Sequence, residues 1–390
     1  MPRVPLWAQL VVAVIAGGIV GAVVGPRASL MGELALVFVK LLKLLATPLV
    51  FVAIVDTLFT MRLPLKRALV LLPLSALNAL VAAAIAIALA HALPLGRVVN
   101  LTRLRALVLQ PAPASPPWIV RIAHGLDRLL VENLLWVIAA ALVTGLVVRA
   151  LAARAVARAI GEAAHLGFGA LMRLLGLVVR AVPLAAFGVM AKVVGSSGLA
   201  IFPVLGLFVV MVALGITLHV FGWYSLVLAV VARRAPGRFF RLGGDALGTA
   251  LGAGSSLATL PVTLRTLEER MGVSTESARL AAVVGTNLNH DGIVLYEAAA
   301  ALFVAQLYGI DTSVVHELKI VGLAIIAAVG IAGVPEAGLV TLSLVLGRAG
   351  LPLAAVPLLL PVDWMLGRLR AMANVASDMV VATVLDRLGR

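Results

Sequence analysis

Apolar runs long enough to cross a hydrocarbon core of roughly 30 Å recur along the chain, near residues 6–24, 33–58, 68–93, 130–152, 163–193, 200–232, 278–308 and 353–383. This pattern predicts eight transmembrane helices in an all-α integral membrane protein. Two further stretches fit no simple span. Residues 243–269 are Gly- and Ser-rich around Pro261, and residues 317–350 form an apolar run broken by Gly330, Gly333, Pro335 and Gly338. Paired, interrupted hydrophobic segments point to re-entrant helical hairpins, expected at about 237–269 and 314–350, because unwound backbone at membrane depth is tolerated only inside protein or against water. Counting crossings places the ends of the two hairpins on opposite sides, with their tips facing each other like two gates.

The last run carries the most informative departure from apolarity. In PVDWMLGRLRAMANVASDMV, residues 361–380, Arg370 and Asn374 fall within roughly 20° of Asp363 around a helix, with Asp378 about 40° beyond Asn374. A charge at the bilayer centre costs about 2.5–3.5 kcal/mol on insertion scales, so this stripe must face a protein interior or an aqueous cavity.

Composition agrees with a membrane protein. The chain is 63% hydrophobic with a mean hydropathy of +1.15, against about 45–50% apolar for a soluble domain. The first run, preceded by Arg3, reads as a retained helix, since many equally apolar runs follow it. A net charge of +14 does not call for nucleic acid, because most of the Arg lies in short loops. By the positive-inside rule, Arg62, Lys66, Arg67, Arg149, Arg154, Arg158, Arg233, Arg234, Arg238, Arg241, Arg387 and Arg390 mark the cytoplasmic side of the cell (inner) membrane, with both termini there. Arg97, Arg103, Arg105, Arg121 and Arg128 run against this pattern. With no Cys, disulfides, thiolate metal sites and cysteine nucleophiles are excluded.

A second constellation lies in the seventh crossing, GTNLNHDGIVLYE (residues 285–297). Asn287, Asn289 and Asp291, with a Gly-loosened backbone, supply oxygen ligands suited to a hard cation such as Na⁺, and Asn374 and Asp378 offer a second oxygen set. The alternative is a kinked helix whose polar groups only bond neighbouring helices. Arg370 suits an anionic substrate, because guanidinium grips carboxylate in a bidentate fork; it equally suits a structural ion pair to Asp363 or Asp378. Glu297 and His290 are candidate proton sites, and Ser255 and Ser256 can offer hydroxyl and backbone N–H groups to a carboxylate. A lone buried His is, however, more often a satisfied core residue.

These residues resemble the glutamate transporter family, the dicarboxylate/amino acid:cation symporters, also called the sodium:dicarboxylate symporter family. SSLATLPVT is similar to its serine-rich first hairpin tip, NHDGIVLYEA to its Asn-Met-Asp-Gly-Thr segment, AGVPEAGLVTL to its second hairpin tip, and VDWMLGRLRAMANVASD to its final helix. The resemblance implies a homotrimer in lipid, with a scaffold (1–66 and 96–198) and an elevator-type transport domain (67–95 and 199–390). It also implies substrate between Ser255, Ser256, Gly333, Val334, Gly367, Arg370 and Asn374. The implied Na⁺ ligands are Gly285, Asn287, Asn289, Asp291, Asn374 and Asp378, with backbone carbonyls near Ala328, Val329 and Ile331. Glu297 matches a proton-carrying glutamate, and Arg368 an arginine that other members place where this chain has Gly254.

Departures shape the expected chemistry. Gly367 replaces the aspartate that holds a substrate ammonium group, Ile293 replaces a threonine, and His290 replaces a methionine between the sodium sites. The third helix, PLSALNALVAAA, poorly reproduces the polar ligands that some members place there. The resulting expectation is a secondary symporter, not an enzyme, with no cofactor. It moves a small acidic solute on Na⁺ and/or H⁺. A C4-dicarboxylate is preferred on the strength of Gly367, and an acidic amino acid is the alternative. A gated anion channel would use the same arginines, and an intramembrane hydrolase would have only Ser255 with His290 to draw on. No nucleotide-binding loop occurs.

Overall fold

The computed structural model describes residues 6–60, 65–95, 134–151, 154–329 and 337–389. Within them lie fifteen α-helices and no strand. The N-terminal half comprises α1 (Leu6–Val24), α2 (Glu33–Thr60), α3 (Leu65–Ala92), α4 (Leu134–Leu151), α5 (Arg154–Val179) and α6 (Val182–Ser197). Small residues let α1 lie directly on α6: a Cβ at Gly21 would sit 2.5 Å from the Ala191 carbonyl oxygen and 2.9 Å from the Gly195 nitrogen. Close backbone approach of this kind replaces the hydrophobic drive that lipid removes.

Where one crossing is expected near 163–193, the structure has two helices, α5 and α6, joined at Arg180–Ala181. Pro183 stands in the first turn of α6, where its missing N–H costs nothing and its ring prevents continuation of the preceding helix.

The C-terminal half surrounds the closing helix. Its members are α7 (Ile201–Thr217), α8 (Tyr224–Val230), α9 (Pro236–Ala253), α10 (Ser256–Arg265), α11 (Thr275–Leu288), α12 (Asp291–Tyr308), α13 (Val314–Val329), α14 (Ala337–Ala349) and α15 (Val356–Leu388). A π-helical turn, Leu218–Trp223, joins α7 to α8 without a break. Helices α9 and α10 pack side by side through a tip in which Gly254 takes φ 67° and Ser255 caps α10, its hydroxyl accepting from the Ala258 N–H at 3.2 Å. A residue with a Cβ adopts that left-handed φ only at a cost, which explains glycine there. Helices α13 and α14 also pack together; Gly330, Ile331, Gly333, Val334 and Pro335, expected at a hairpin tip, lie outside the described residues.

Among the described residues, five helical stretches are long and apolar enough to cross a membrane: 8–28, 70–92, 155–196, 201–230 and 291–308. Helix α15 is not among them although it has 33 residues, about 50 Å. Its acids and arginines lower its hydropathy, and most of its length is buried in protein instead. The expected crossing at 278–308 is interrupted: Asn289 and His290 are not helical, and α11 and α12 end and begin on either side of them.

Candidate cation and anion sites

The break between α11 and α12 sets the geometry of the first site. Helix α11 ends at Leu288, so the negative end of its dipole lies at this break. The unwound residue Asn289 and the first residue of α12, Asp291, are fully buried. Asn289 donates through Nδ2 to Asp378 Oδ1 at 3.0 Å, and its own Oδ1 accepts from Ser75 Oγ on α3. The third helix thus contributes Ser75, from the stretch expected to carry few polar ligands, to the site.

Asp291 Oδ2 accepts from Tyr224 Oη at 2.7 Å and from Ser377 Oγ at 2.8 Å. His219 Nε2 lies 3.1 Å from the Tyr224 hydroxyl and 3.5 Å from Asp291 Oδ2. Asp291 Oδ1 has no hydrogen-bond partner among the described residues. Neither Asp291 nor Asp378 is paired with an Arg or Lys among those residues. Two buried carboxylates, neither with a cationic partner among those residues, constitute a large desolvation cost unless a cation joins them. No group of three or more His, Cys, Asp or Glu side chains gathers among the described residues as a transition-metal site would require. The donor set is oxygen from acid, amide, hydroxyl and backbone, which fits a hard cation.

The second site lies on the same helix, closer to its N-terminus. Arg370 donates through Nη1 to Asp363 Oδ1 at 2.8 Å and through Nη2 to Asp363 Oδ2 at 3.1 Å. Both residues are buried. Of the two partners open to Arg370 in the sequence, the structure realises Asp363. The guanidinium also lies over the Tyr296 ring, Cζ to centroid 4.1 Å, where cation–π attraction adds to the pair. Two glycines make room for it: a Cβ on Gly338 would fall 2.5 Å from Arg370 Nη1, and one on Gly367 would fall 3.1 Å from Nη2. Gly367 thus lies against the guanidinium, at the point expected to lack an acid.

Other expected residues are placed as follows. Asn374 Oδ1 accepts from the Gly292 N–H at 2.9 Å, tying α15 to the start of α12. Ser255 and Ser256 are buried at the α9–α10 tip. Arg368 reaches that same tip and donates to the carbonyls of Leu251, at 3.1 Å, and Gly252. Its Cγ lies 3.7 Å from where a Gly254 Cβ would stand. Glu297 is fully buried, and neither of its carboxyl oxygens has a hydrogen-bond partner among the described residues. The His290 imidazole, also buried, donates to the Ala328 backbone carbonyl near the end of α13, so one of the expected sodium-site carbonyls is engaged by His290. Nothing is described of the Gly285, Asn287 or Val329 side-chain positions, and Ile331, Gly333 and Val334 lie outside the described residues.

Sequence reasoning missed His219, Tyr224, Ser75 and Ser377. Ser377 was legible as a hydroxyl one position before Asp378 on an inward-facing stripe. His219 and Tyr224 were hidden by their spacing: five residues apart, they lie roughly 140° apart on an α-helix.

Helical packing around buried acids, a buried guanidinium and an unwound backbone segment defines a multi-pass membrane protein with polar groups gathered in its interior. Residues 6–388 match the Sodium:dicarboxylate symporter family, and the chain belongs to it. It is 40% identical to excitatory amino acid transporter 4 of Mus musculus over 225 residues, 57% of this chain and 40% of the relative. It is 41% identical to excitatory amino acid transporter 3 of Mus musculus over 204 residues, 52% of this chain and 39% of the relative. A putative sodium-dependent excitatory amino acid transporter of Caenorhabditis elegans, glt-4, is 38% identical over 220 residues, 56% of this chain and 44% of the relative. The matched stretches span less than half the length of these relatives.

Proposed function

We propose that the protein is a secondary symporter that carries a small acidic solute across the membrane together with Na⁺. The observation that carries the cation half is the pair Asp291 and Asp378, both buried and without an Arg or Lys partner among the described residues. A cation seated by Asp291 Oδ1, Asp378 and the end of α11 removes the electrostatic cost. Arg370 takes the solute carboxylate in exchange for Asp363, so solute binding releases one ion pair and forms another. Serines at the α9–α10 tip face the solute from the other side. Closure of the α13–α14 hairpin over both ligands couples them, each raising the affinity for the other, and residues 199–390 then move as an elevator against the scaffold of a homotrimer. Glu297 carries a proton in the same cycle.

The likeness to excitatory amino acid transporters supports an acidic amino acid as the solute, which reverses the order of preference drawn from Gly367 alone. The C4-dicarboxylate remains a second reading because a specific observation favours it: position 367 presents no acid for an amine beside the Arg370 guanidinium. Uptake of labelled aspartate and of labelled succinate into proteoliposomes, with Na⁺ and pH gradients imposed separately, tests both. Na⁺-driven aspartate uptake that succinate fails to compete is the expected result. Uptake of succinate alone selects the second reading, and uptake of neither under any gradient overturns symport.

A further inference from the structure

The π-helical turn in the α7–α8 stretch has no packing explanation of its own: no proline or glycine pair forces it, and it lies in the 30-residue apolar stretch Ile201–Val230. Its effect is local and specific. The Tyr224 N–H bonds to the His219 carbonyl, five residues back, which turns the two side chains to the same side. The rings meet edge to face with centroids 4.6 Å apart, and His219 Nε2 sits 3.1 Å from the Tyr224 hydroxyl. The Tyr224 hydroxyl is thereby aimed at Asp291 Oδ2, 2.7 Å away, where Ser377 Oγ converges from α15 at 2.8 Å. All four side chains are buried. Both donors hold the same oxygen, so Oδ1 is left without a hydrogen-bond partner among the described residues.

We infer that Tyr224, backed by His219 across the π turn, and Ser377 are positioning residues that fix the Asp291 carboxylate so that Oδ1 alone presents to the cation. π turns recur at functional sites because they place side chains that an α-helix would separate. A carboxylate pinned at one oxygen ligates through the other with a set direction, and a rigid ligand shell discriminates between cations of different size better than one that can collapse. The inference rests on the cation reading above, and brings in His219 and Tyr224 from outside the motifs that carried it.

The test is a Na⁺ titration of the purified protein, read as the rise in unfolding temperature with ionic strength held by choline chloride, beside uptake in proteoliposomes. Tyr224→Phe removes the donor and keeps the ring. It is expected to raise half-saturating Na⁺ roughly 10-fold or more, as loss of a hydrogen bond to a charged group does. Half-saturating solute at saturating Na⁺ stays within about 2-fold, and the preference for Na⁺ over Li⁺ narrows. Ser377→Ala shifts Na⁺ in the same direction while Ser377→Thr, which keeps the hydroxyl, does not; this pair decides the matter if Tyr224→Phe fails to fold. Wild-type Na⁺ titrations in Tyr224→Phe and Ser377→Ala overturn the inference while leaving the cation site standing. A wild-type protein indifferent to Na⁺ overturns the cation reading and this inference with it.

Discussion

The two halves of the closing helix handle buried charge in opposite ways. Toward its N-terminus, Asp363 and Arg370 neutralise one another through two hydrogen bonds, with Tyr296 beneath the guanidinium. Two turns further on, among the described residues, Asp378 meets only the carboxamide of Asn289, and its neighbour Asp291 meets only hydroxyls and an imidazole. The first arrangement is complete without a ligand and must be opened to admit an anion. The second is incomplete and calls for a positive charge. On the proposed function, this one helix would hold an anion site and a cation site about two turns apart, and the two ligands would be coupled because each changes the charge that the other meets.

Breaking the complete half has the largest expected effect. Arg370→Ala abolishes acidic-solute uptake and leaves Asp363 buried without its partner, a change that costs about 3–5 kcal/mol when one member of a buried pair is removed. Uptake together with the unfolding temperature of the purified variant checks both parts; wild-type uptake would show that the solute binds elsewhere. Neutralising the incomplete half acts in the other direction on stability. Asp378→Asn keeps an oxygen to accept from Asn289 and removes the uncompensated charge, so the Na⁺-free protein unfolds at the same or a higher temperature. Stabilisation by added Na⁺, about 2.7 kcal/mol at a hundredfold excess over Kd, is reduced or lost. An Asp378→Asn protein that gains as much from Na⁺ as the wild type would remove this acid from the site.

Much of this contrast was legible in the sequence, because burial of charge in an apolar helix is costly whatever the tertiary detail. The period of 3.6 placed Asp363, Arg370, Asn374 and Asp378 on one inward stripe, and the structure buries all four. Periodicity gave no choice between Asp363 and Asp378 as the partner of Arg370. That depends on the room made by Gly338 and Gly367, which bear no side chain. The interruption at Asn289–His290 was hidden for a related reason: the run 278–308 keeps its apolar character through the break, and only packing against α15 and α3 makes an unwound segment affordable there. His219 and Tyr224 were concealed by the π turn, since the spacing that unites them is the one that an α-helical wheel pulls apart.

A smaller effect is expected where the two halves depend on close helix contact. A Cβ on Gly292 would lie 2.6 Å from the Arg370 carbonyl oxygen and 2.9 Å from the Ala373 Cβ. Gly292→Ala therefore forces α12 away from α15 and stretches the Gly292 N–H to Asn374 bond. Overpacking of this kind costs about 1–3 kcal/mol, measured as a fall in unfolding temperature. Because Asn374 lies between the Arg370 and Asp378 regions, half-saturating solute and half-saturating Na⁺ rise together. A shift in only one of them would show that the halves are mechanically independent.

The smallest expected effect separates the two arginines that sit two residues apart. Arg370 is inside and paired, whereas Arg368 points to the α9–α10 tip, where it donates to the carbonyls of Leu251 and Gly252 in the last turn of α9. A cation at a helix C-terminus meets the negative end of the dipole and supplies donors to carbonyls that the helix cannot satisfy. Arg368→Ala removes both contributions, a loss of about 1 kcal/mol, while leaving Asp363, Arg370 and Tyr296 in place. The tip then loosens, and the expected result is a modest rise in half-saturating solute with the Na⁺ titration unchanged. Arg368→Lys restores the charge near the helix end but not the planar fork that reaches two carbonyls, so it recovers only part of the loss. Full recovery with Lys would reduce the interaction to its dipole component, and an Arg368→Ala variant as impaired as Arg370→Ala would place Arg368 on the solute itself.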